Sequence, residues 1–205
     1  MNIILYIFMF AIGATLGSFY TLAVYRIPLK QDITHTRSYC PKCNHRLNFW
    51  DLIPILSYIA LGGKCRYCKE KIRPRYIILE ISSGLVFLLY AMSLNINLLE
   101  IEYKKIVALV FGMLFFSAIF ITIGIFKEHK KIQKSVFNFG IIVECIYMIY
   151  LYILNTNIYR YAIYIVLLGI LTIINNLKKT SENLKILAFL VFTIIGISEI
   201  IMILL

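Results

Sequence analysis

The sequence predicts an all-α polytopic membrane protein of about six transmembrane helices, with a cysteine-rich loop between the first and second. Three observations carry this. The 205 residues are 61% hydrophobic with a mean hydropathy of +0.85, too apolar for a soluble globule of this size to cover its surface with polar groups. The apolar residues fall into blocks of about the 20 needed to cross a hydrocarbon core. The basic residues cluster in alternate connections between those blocks.

The blocks run over residues 2–25, 76–96, 106–126, 136–154, 158–174 and 186–205, the fifth being the shortest. The first has no basic residue ahead of it, exceeds the core of a signal peptide and is followed by Arg26, so it reads as a retained helix. A net charge of +11 would suit a nucleic-acid binder, but 18 of the 21 Lys and Arg lie in three alternate segments. Eleven lie between Arg26 and Arg75, four between Lys127 and Lys134, and three are Lys178, Lys179 and Lys185. The remaining three, Lys104, Lys105 and Arg160, fall in the intervening loops. The positive-inside rule explains this pattern without nucleic acid, and predicts that the three rich segments are cytoplasmic and both termini outside. The expected organisation is a first helix at 1–25, a cytoplasmic loop at 26–75 and a membrane domain of about five helices at 76–205.

Only the loop at 26–75 is long enough to fold by itself, and it contains all four prolines. Its apolar stretch from Leu47 to Leu61, broken by Asp51 and Pro54, is expected to lie on the membrane surface or to cover the cysteines. Cys40-Pro-Lys-Cys43 and Cys65-Arg-Tyr-Cys68 are two CxxC pairs separated by 21 residues, close to the spacing of four-thiolate zinc knuckles. Two disulfides are disfavoured by a reducing cytoplasm, and a redox CxxC normally accompanies a strand–helix pattern that this loop lacks. Unliganded thiols remain a further reading. Zinc or a similar soft metal is the reading preferred, in a closed structural site with no open position for substrate. His45 is expected to be a solvated loop histidine, and Cys145, alone in a span, a small apolar packing residue.

In order along the chain stand Gly13-x-x-x-Gly17-Ser18-Phe19, Arg26-x-Pro28, the first CxxC, Asp51-x-Ile53-Pro54-x-Leu56-Ser57-Tyr58, the second CxxC and Arg75-Tyr76-x-x-x-Glu80. This series closely resembles the amino-terminal part of bacterial type IV prepilin peptidases. The resemblance implies an enzyme of the bacterial inner membrane that cuts the leader from pilin-like precursors. In many members it also methylates the new amino terminus using S-adenosylmethionine. Gly13 and Gly17 have a physical reading of their own, close helix approach, and Arg26 and Pro28 mark the exit from the membrane.

The resemblance also implies an aspartyl dyad at helix ends, one carboxylate activating water and the other supplying a proton. The first family aspartate position falls on Phe126, in Ile125-Phe126-Lys127-Glu128-His129, with Gln133 at the following proline. The second falls on Asn183, in Thr180-Ser181-Glu182-Asn183-Leu184-Lys185, with Thr180 and Glu182 at the motif glycines. Asp32 and Asp51 are the only aspartates in the sequence. A phenyl ring takes no proton and an amide is no acid or base near neutral pH, so the peptidase step is expected to be lost. Glu128 and Glu182 are weak candidate substitutes, otherwise solvated charges beside Lys127, Lys130 and Lys179. The family usually continues through more than one span past the second motif, whereas one span follows here, so the carboxy-terminal part reads as eroded.

Three functions compete. The first is a peptidase-inactive homologue that binds pilin-like precursors or pilus and secretion assembly components. The second is an active leader peptidase or methyltransferase with substituted acids. The third is a small membrane transporter using Glu144 and Glu199, which lie deep in predicted spans. Those two glutamates are expected to pair with tyrosine hydroxyls, line a polar cleft or sit protonated and inert. The inert reading is preferred because no intramembrane Lys or Arg partner is evident in the sequence. Glu80, nearer the boundary, is expected to bond Arg75 or the loop backbone.

Overall fold

The computed structural model describes residues 2–33, 37–96, 102–154, 158–177 and 180–204. Its long helices are α1 (Asn2–Arg26), α3 (Arg75–Ser93), α4 (Tyr103–His129), α5 (Lys134–Ile153), α6 (Ile158–Asn176) and α7 (Glu182–Leu204). A short helix α2 (Leu56–Ala60) and a 3-10 turn at Phe49–Asp51 lie in the loop after α1. All six long helices are apolar and long enough to cross a membrane; the shortest, at 19 residues, extend about 28 Å at 1.5 Å per residue. The described residues contain no β-strand beyond two isolated bridges. The expected all-α polytopic class is therefore observed, with each helix within a few residues of its predicted block. Lys178 and Lys179, expected on the last basic connection, lie outside the described residues.

The chain forms two compact units, residues 1–99 and 100–205. In the first, α1 packs along α3 at very short range, and small residues explain how. A Cβ on Gly13 would come within 2.8 Å of the Gly84 Cα, and one on Gly17 within 2.8 Å of the Glu80 Cα. The Ser83 hydroxyl, buried between the helices, donates to the Gly13 carbonyl at 2.6 Å. Gly84 in turn admits the ring of Phe10, which a Cβ would meet at 2.8 Å. Both helices thus approach backbone to backbone, the arrangement in which small residues bring dispersion contacts and a polar bond together in lipid. Arg26, read from the sequence as marking the exit from the membrane, packs inward at the end of α1. It is only 4% exposed and donates to the carbonyls of Asp32 at 2.9 Å and Arg37 at 3.4 Å, so that it organises the first turn of the loop.

In the second unit, α4, α5, α6 and α7 enclose an aromatic core. Phe111 stacks on Tyr147 at 3.9 Å between ring centroids, and Phe192 meets Phe115 at 5.4 Å and Phe137 at 5.5 Å, within the range of favourable ring pairs. Gly140 makes room for Phe192, since a Cβ there would lie 2.8 Å from the ring.

Replacing Gly17 by Val should separate α1 from α3 and cost about 1–3 kcal/mol or more, the usual penalty of overpacking. Gly169→Ala faces open space and should leave the thermal midpoint in detergent unchanged. Equal midpoints for the two variants would contradict the close-packed interface.

Candidate functional site

The four cysteines of the loop converge. Their sulfurs all lie within 4.8 Å of one another, with Cys40 and Cys68 at 3.9 Å. Four thiolates about 2.3 Å from a tetrahedral zinc would stand about 3.8 Å apart, so this donor set fits a metal of that kind. All four are free thiols.

Each half of the cluster is built the same way. In the first, the Cys40 amide donates to the His45 carbonyl at 3.0 Å and the Asn44 amide returns to the Cys40 carbonyl at 2.8 Å. In the second, Cys65 donates to Glu70 at 2.8 Å and Lys69 returns to Cys65 at 3.1 Å. Asn44 and Lys69, each directly after the second cysteine of its pair, take φ of 55° and 60°. Isolated antiparallel bridges, Tyr39 with Arg46 and Lys64 with Lys71, close the two turns. The first cysteine of each pair is buried and the second exposed. This repetition of backbone form escapes a sequence search, because only the cysteines recur as residue types.

The electrostatics favour thiolate at one position. Backbone amide hydrogens of Cys68, above all, and Tyr67 point at the Cys65 sulfur and, against the opposing effect of burial, hold its pKa down to about 7. The Glu70 amide also pulls Cys68 down, but burial and the sulfurs of Cys65, Cys43 and Cys40 outweigh it and raise that thiol to about 11. The first proton therefore leaves readily and later ones are held back by the charge already there, a balance that a dication reverses.

His45 is exposed and outside the cluster, as expected, but it is not merely solvated. Its ring lies on Tyr67 with 3.6 Å between centroids, joining the first half of the site to the second. Asp51 supplies the second link. Its carboxylate accepts from Arg66 Nε at 2.6 Å, from the Tyr67 hydroxyl at 3.3 Å and from the Asn48 amide at 3.2 Å. Burial pushes the Asp51 pKa upward, but these donors and the Arg66 charge together hold it below the usual carboxylate value. Glu80 supplies the third link. It accepts from the Ile55 amide at 2.7 Å, so of its two expected partners it takes the loop backbone. Ile55 has φ 63° and ψ −54°, and the Leu56 amide reaches the Pro54 carbonyl at 2.6 Å. This is a γ-turn of the rare positive-φ kind, which a β-branched residue adopts only when its surroundings impose it.

The positions expected for a peptidase site lie in the other unit. Phe126, near the end of α4, lines a small pocket of about 50 Å³ with Thr122, Ile123, Ile132, Ile186 and Phe189. Ile186 is about one turn beyond Asn183 on α7, and Asn183 itself is exposed. Thr180 Oγ1 donates back to the Ile174 carbonyl at 2.9 Å, and the Ser181 hydroxyl accepts the Leu184 amide at 3.3 Å as an N-cap of α7. Glu128 is exposed. Glu182 pairs with Lys185 at 2.7 Å and accepts the Ile132 amide at 3.3 Å, so it joins the start of α7 to the α4–α5 connection.

Two expectations about buried charge need correction. Arg160 is not in a loop but in the first turn of α6, and it stands 3.6 Å from the Glu199 carboxylate, so an intramembrane cation partner does exist. Helical continuation through residues 158–160 turned its side chain inward, where the Tyr161 hydroxyl also accepts from it at 2.8 Å. Glu144 is fully buried on α5 and abuts Gly196 of α7. Sequence reading also missed a polar cluster in which Asn175, fully buried, donates to Asn138 at 2.7 Å while Asn138 donates to Asn176 at 3.1 Å. Its signal was three asparagines at the ends of two apolar spans. Cys145 is half-buried in α5.

These features define a helical membrane protein carrying a two-knuckle cysteine module between its first two spanning helices. Residues 11–94 match the family described as the bacterial peptidase A24 N-terminal domain. Over 81 residues the chain is 42% identical to a prepilin leader peptidase/N-methyltransferase of Myxococcus xanthus, covering 40% of this chain and 24% of that protein. A protein of the same description from Vibrio cholerae is 43% identical over 86 residues, covering 38% and 34%, and one from Klebsiella pneumoniae 33% over 100 residues, covering 45% and 44%. Residues 11–94 of this chain are therefore similar to the amino-terminal domain of prepilin leader peptidases, and the chain spans between a quarter and under half the length of these relatives. No solved structure matches it.

Changing Cys65 to Ser should abolish tight metal binding, while Cys145→Ser should leave it intact, read as the thiolate-to-cobalt charge-transfer band. Because the metal displaces protons, its affinity should rise with pH and fall steeply as pH drops below about 7, the Cys65 value; a flat profile would argue against thiolate ligation. Asp51 has a folded pKa below its unfolded one, so its contribution is present above the ordinary carboxylate value and is lost as pH falls through the folded one. Asp51→Asn should accordingly speed hydrogen exchange across residues 48–67 at neutral pH, and its difference from wild type should shrink in acid.

Proposed function

We propose that this protein is a prepilin-peptidase-like component of the bacterial inner membrane that binds pilin-like precursors or their assembly machinery without cleaving them. Its cysteine loop is read as cytoplasmic, from the clustering of basic residues, and as a structural zinc site. The observation that carries the loss of cleavage is the apolar wall around Phe126, where the family resemblance puts one catalytic carboxylate. Hydrolysis of a peptide bond needs a base for water and an acid for the carbonyl at that place. Within these 205 residues the only aspartates are Asp32 and Asp51, both in the loop, and Asp51 is engaged with Arg66.

In the alternative reading of a relocated acid pair, Glu182 at the start of α7 reaches the Ile132 amide on the α4–α5 connection, while Glu128 is exposed in the last turn of α4. The bond of Glu182 to Lys185, however, holds it as a structural anion. Methyl transfer would call on S-adenosylmethionine and is separable from cleavage in the same assay.

The deciding experiment incubates the purified protein with a pilin-like precursor and reads the products by mass. The expected result is co-purification of intact precursor. Efficient leader removal, abolished by Glu182→Gln, would replace this reading with that of a peptidase using substituted acids. A methylated amino terminus would establish a surviving transferase. Purified protein should also carry about one equivalent of zinc, and less than about half would count against the metal assignment.

A further inference from the structure

The loop that holds the cysteines also displays an apolar surface that the cluster does not use. Phe49 and Trp50 are 76% and 70% exposed, Leu56 and Ile59 are 65% and 64% exposed, and Leu52 is 40% exposed. They occupy the 3-10 turn, α2 and the link between them. Such a set of large side chains is unfavourable in water and marks an interaction surface.

We propose that Phe49, Trp50, Leu52, Leu56 and Ile59 form a shallow membrane-insertion surface, by which the loop rests in the interface of the bilayer that α1 and α3 cross. Its depth is set by the bond from the Ile55 amide to Glu80. Glu80 is the sixth residue of α3, about 7–8 Å along the helix from its start. Since a helical side chain tilts toward the N-terminus, the γ-turn between the two halves of the patch is held beside the first turns of α3, the part of a spanning helix that lies in the headgroup layer where amphipathic segments bind. Trp and Phe suit that layer, being bulky and, for Trp, able to keep a polar N–H toward water.

Charge selects lipid as the occupant. The loop between Arg26 and Arg75 holds eleven basic residues against three acidic ones, Asp32, Asp51 and Glu70. Lys64, Lys71 and Arg73 are exposed on the same loop, while the Asp51 carboxylate beside Trp50 is 3% exposed and neutralised by Arg66. An apolar surface on a strongly basic loop, continuous in the chain with two spanning helices, matches anionic headgroups over acyl chains. The inference does not depend on whether the protein cleaves, methylates or merely binds a precursor.

Trp50 is the only tryptophan in the chain, so the wild-type protein carries its own reporter. The full chain is reconstituted in nanodiscs of phosphatidylcholine and phosphatidylglycerol, with acyl chains brominated near the headgroup or near the bilayer centre. Blue-shifted emission is expected, quenched more by shallow than by deep bromines and weakly by acrylamide. A Leu56→Ser, Ile59→Ser double variant should lose much of the bromolipid quenching and gain acrylamide quenching with its metal content unchanged. Water-like emission, open to acrylamide and indifferent to bromolipid, would overturn the proposal. So would shielding that arises only when a pilin-like precursor is added, which would assign the surface to a protein partner.

Discussion

The hydrogen bond between the Ile55 amide and the Glu80 carboxylate couples the cysteine loop to a membrane helix, and the organisation of the first unit depends on it. Glu80 is positioned because α1 and α3 touch through Gly13, Gly17, Ser83 and Gly84, an approach no larger side chain would permit. The γ-turn at Ile55 is positioned because Glu80 holds it. From that turn the chain runs to Asp51 on one side and to the second cysteine pair on the other. A carboxylate accepting a short backbone bond is stronger than a neutral acceptor, and the low dielectric at a helix interface strengthens it further.

The cysteine cluster is therefore tied into the fold at several points. Asp51 grips Arg66 and Tyr67 from the second knuckle, Tyr67 lies against His45 from the first, and Arg26 gathers the carbonyls that lead into it. A loop of this size has little apolar core to hold it together, so a few charge-assisted bonds, and the metal that its four sulfurs could hold, take the place of burial. Its four sulfurs suffice by themselves to complete a tetrahedral donor set.

The second unit keeps an unusual quantity of polar material inside apolar helices. Arg160 faces Glu199, Glu144 is sealed against Gly196, and Asn138, Asn175 and Asn176 bond one another. In lipid such groups have no water to return to, so they fasten helices to one another, and they are costly to leave unmatched. The ends of α4 and α7 are joined instead by the apolar surroundings of Phe126 and by Glu182 reaching the Ile132 amide. The same glutamate that suggested chemistry in the sequence is engaged in tying two segments together.

The sequence by itself determined the spanning helices, because lipid demands about twenty apolar residues in succession and that demand is written locally. It also determined the four-sulfur site, since two CxxC pairs carry their geometry in their spacing, and the resemblance to prepilin peptidases, through an ordered series of residues from Gly13 to Glu80. Tertiary structure alone decided which partner each buried charge takes. Arg160, grouped with the loop charges although the fifth apolar block begins at residue 158, takes Glu199 as its partner only through the rotation of α6, and Glu80 has two expected partners until the Ile55 amide is brought to it. Pairing across a membrane protein depends on helix rotation and on contacts far apart in the chain, and neither leaves a periodic trace in the residues themselves.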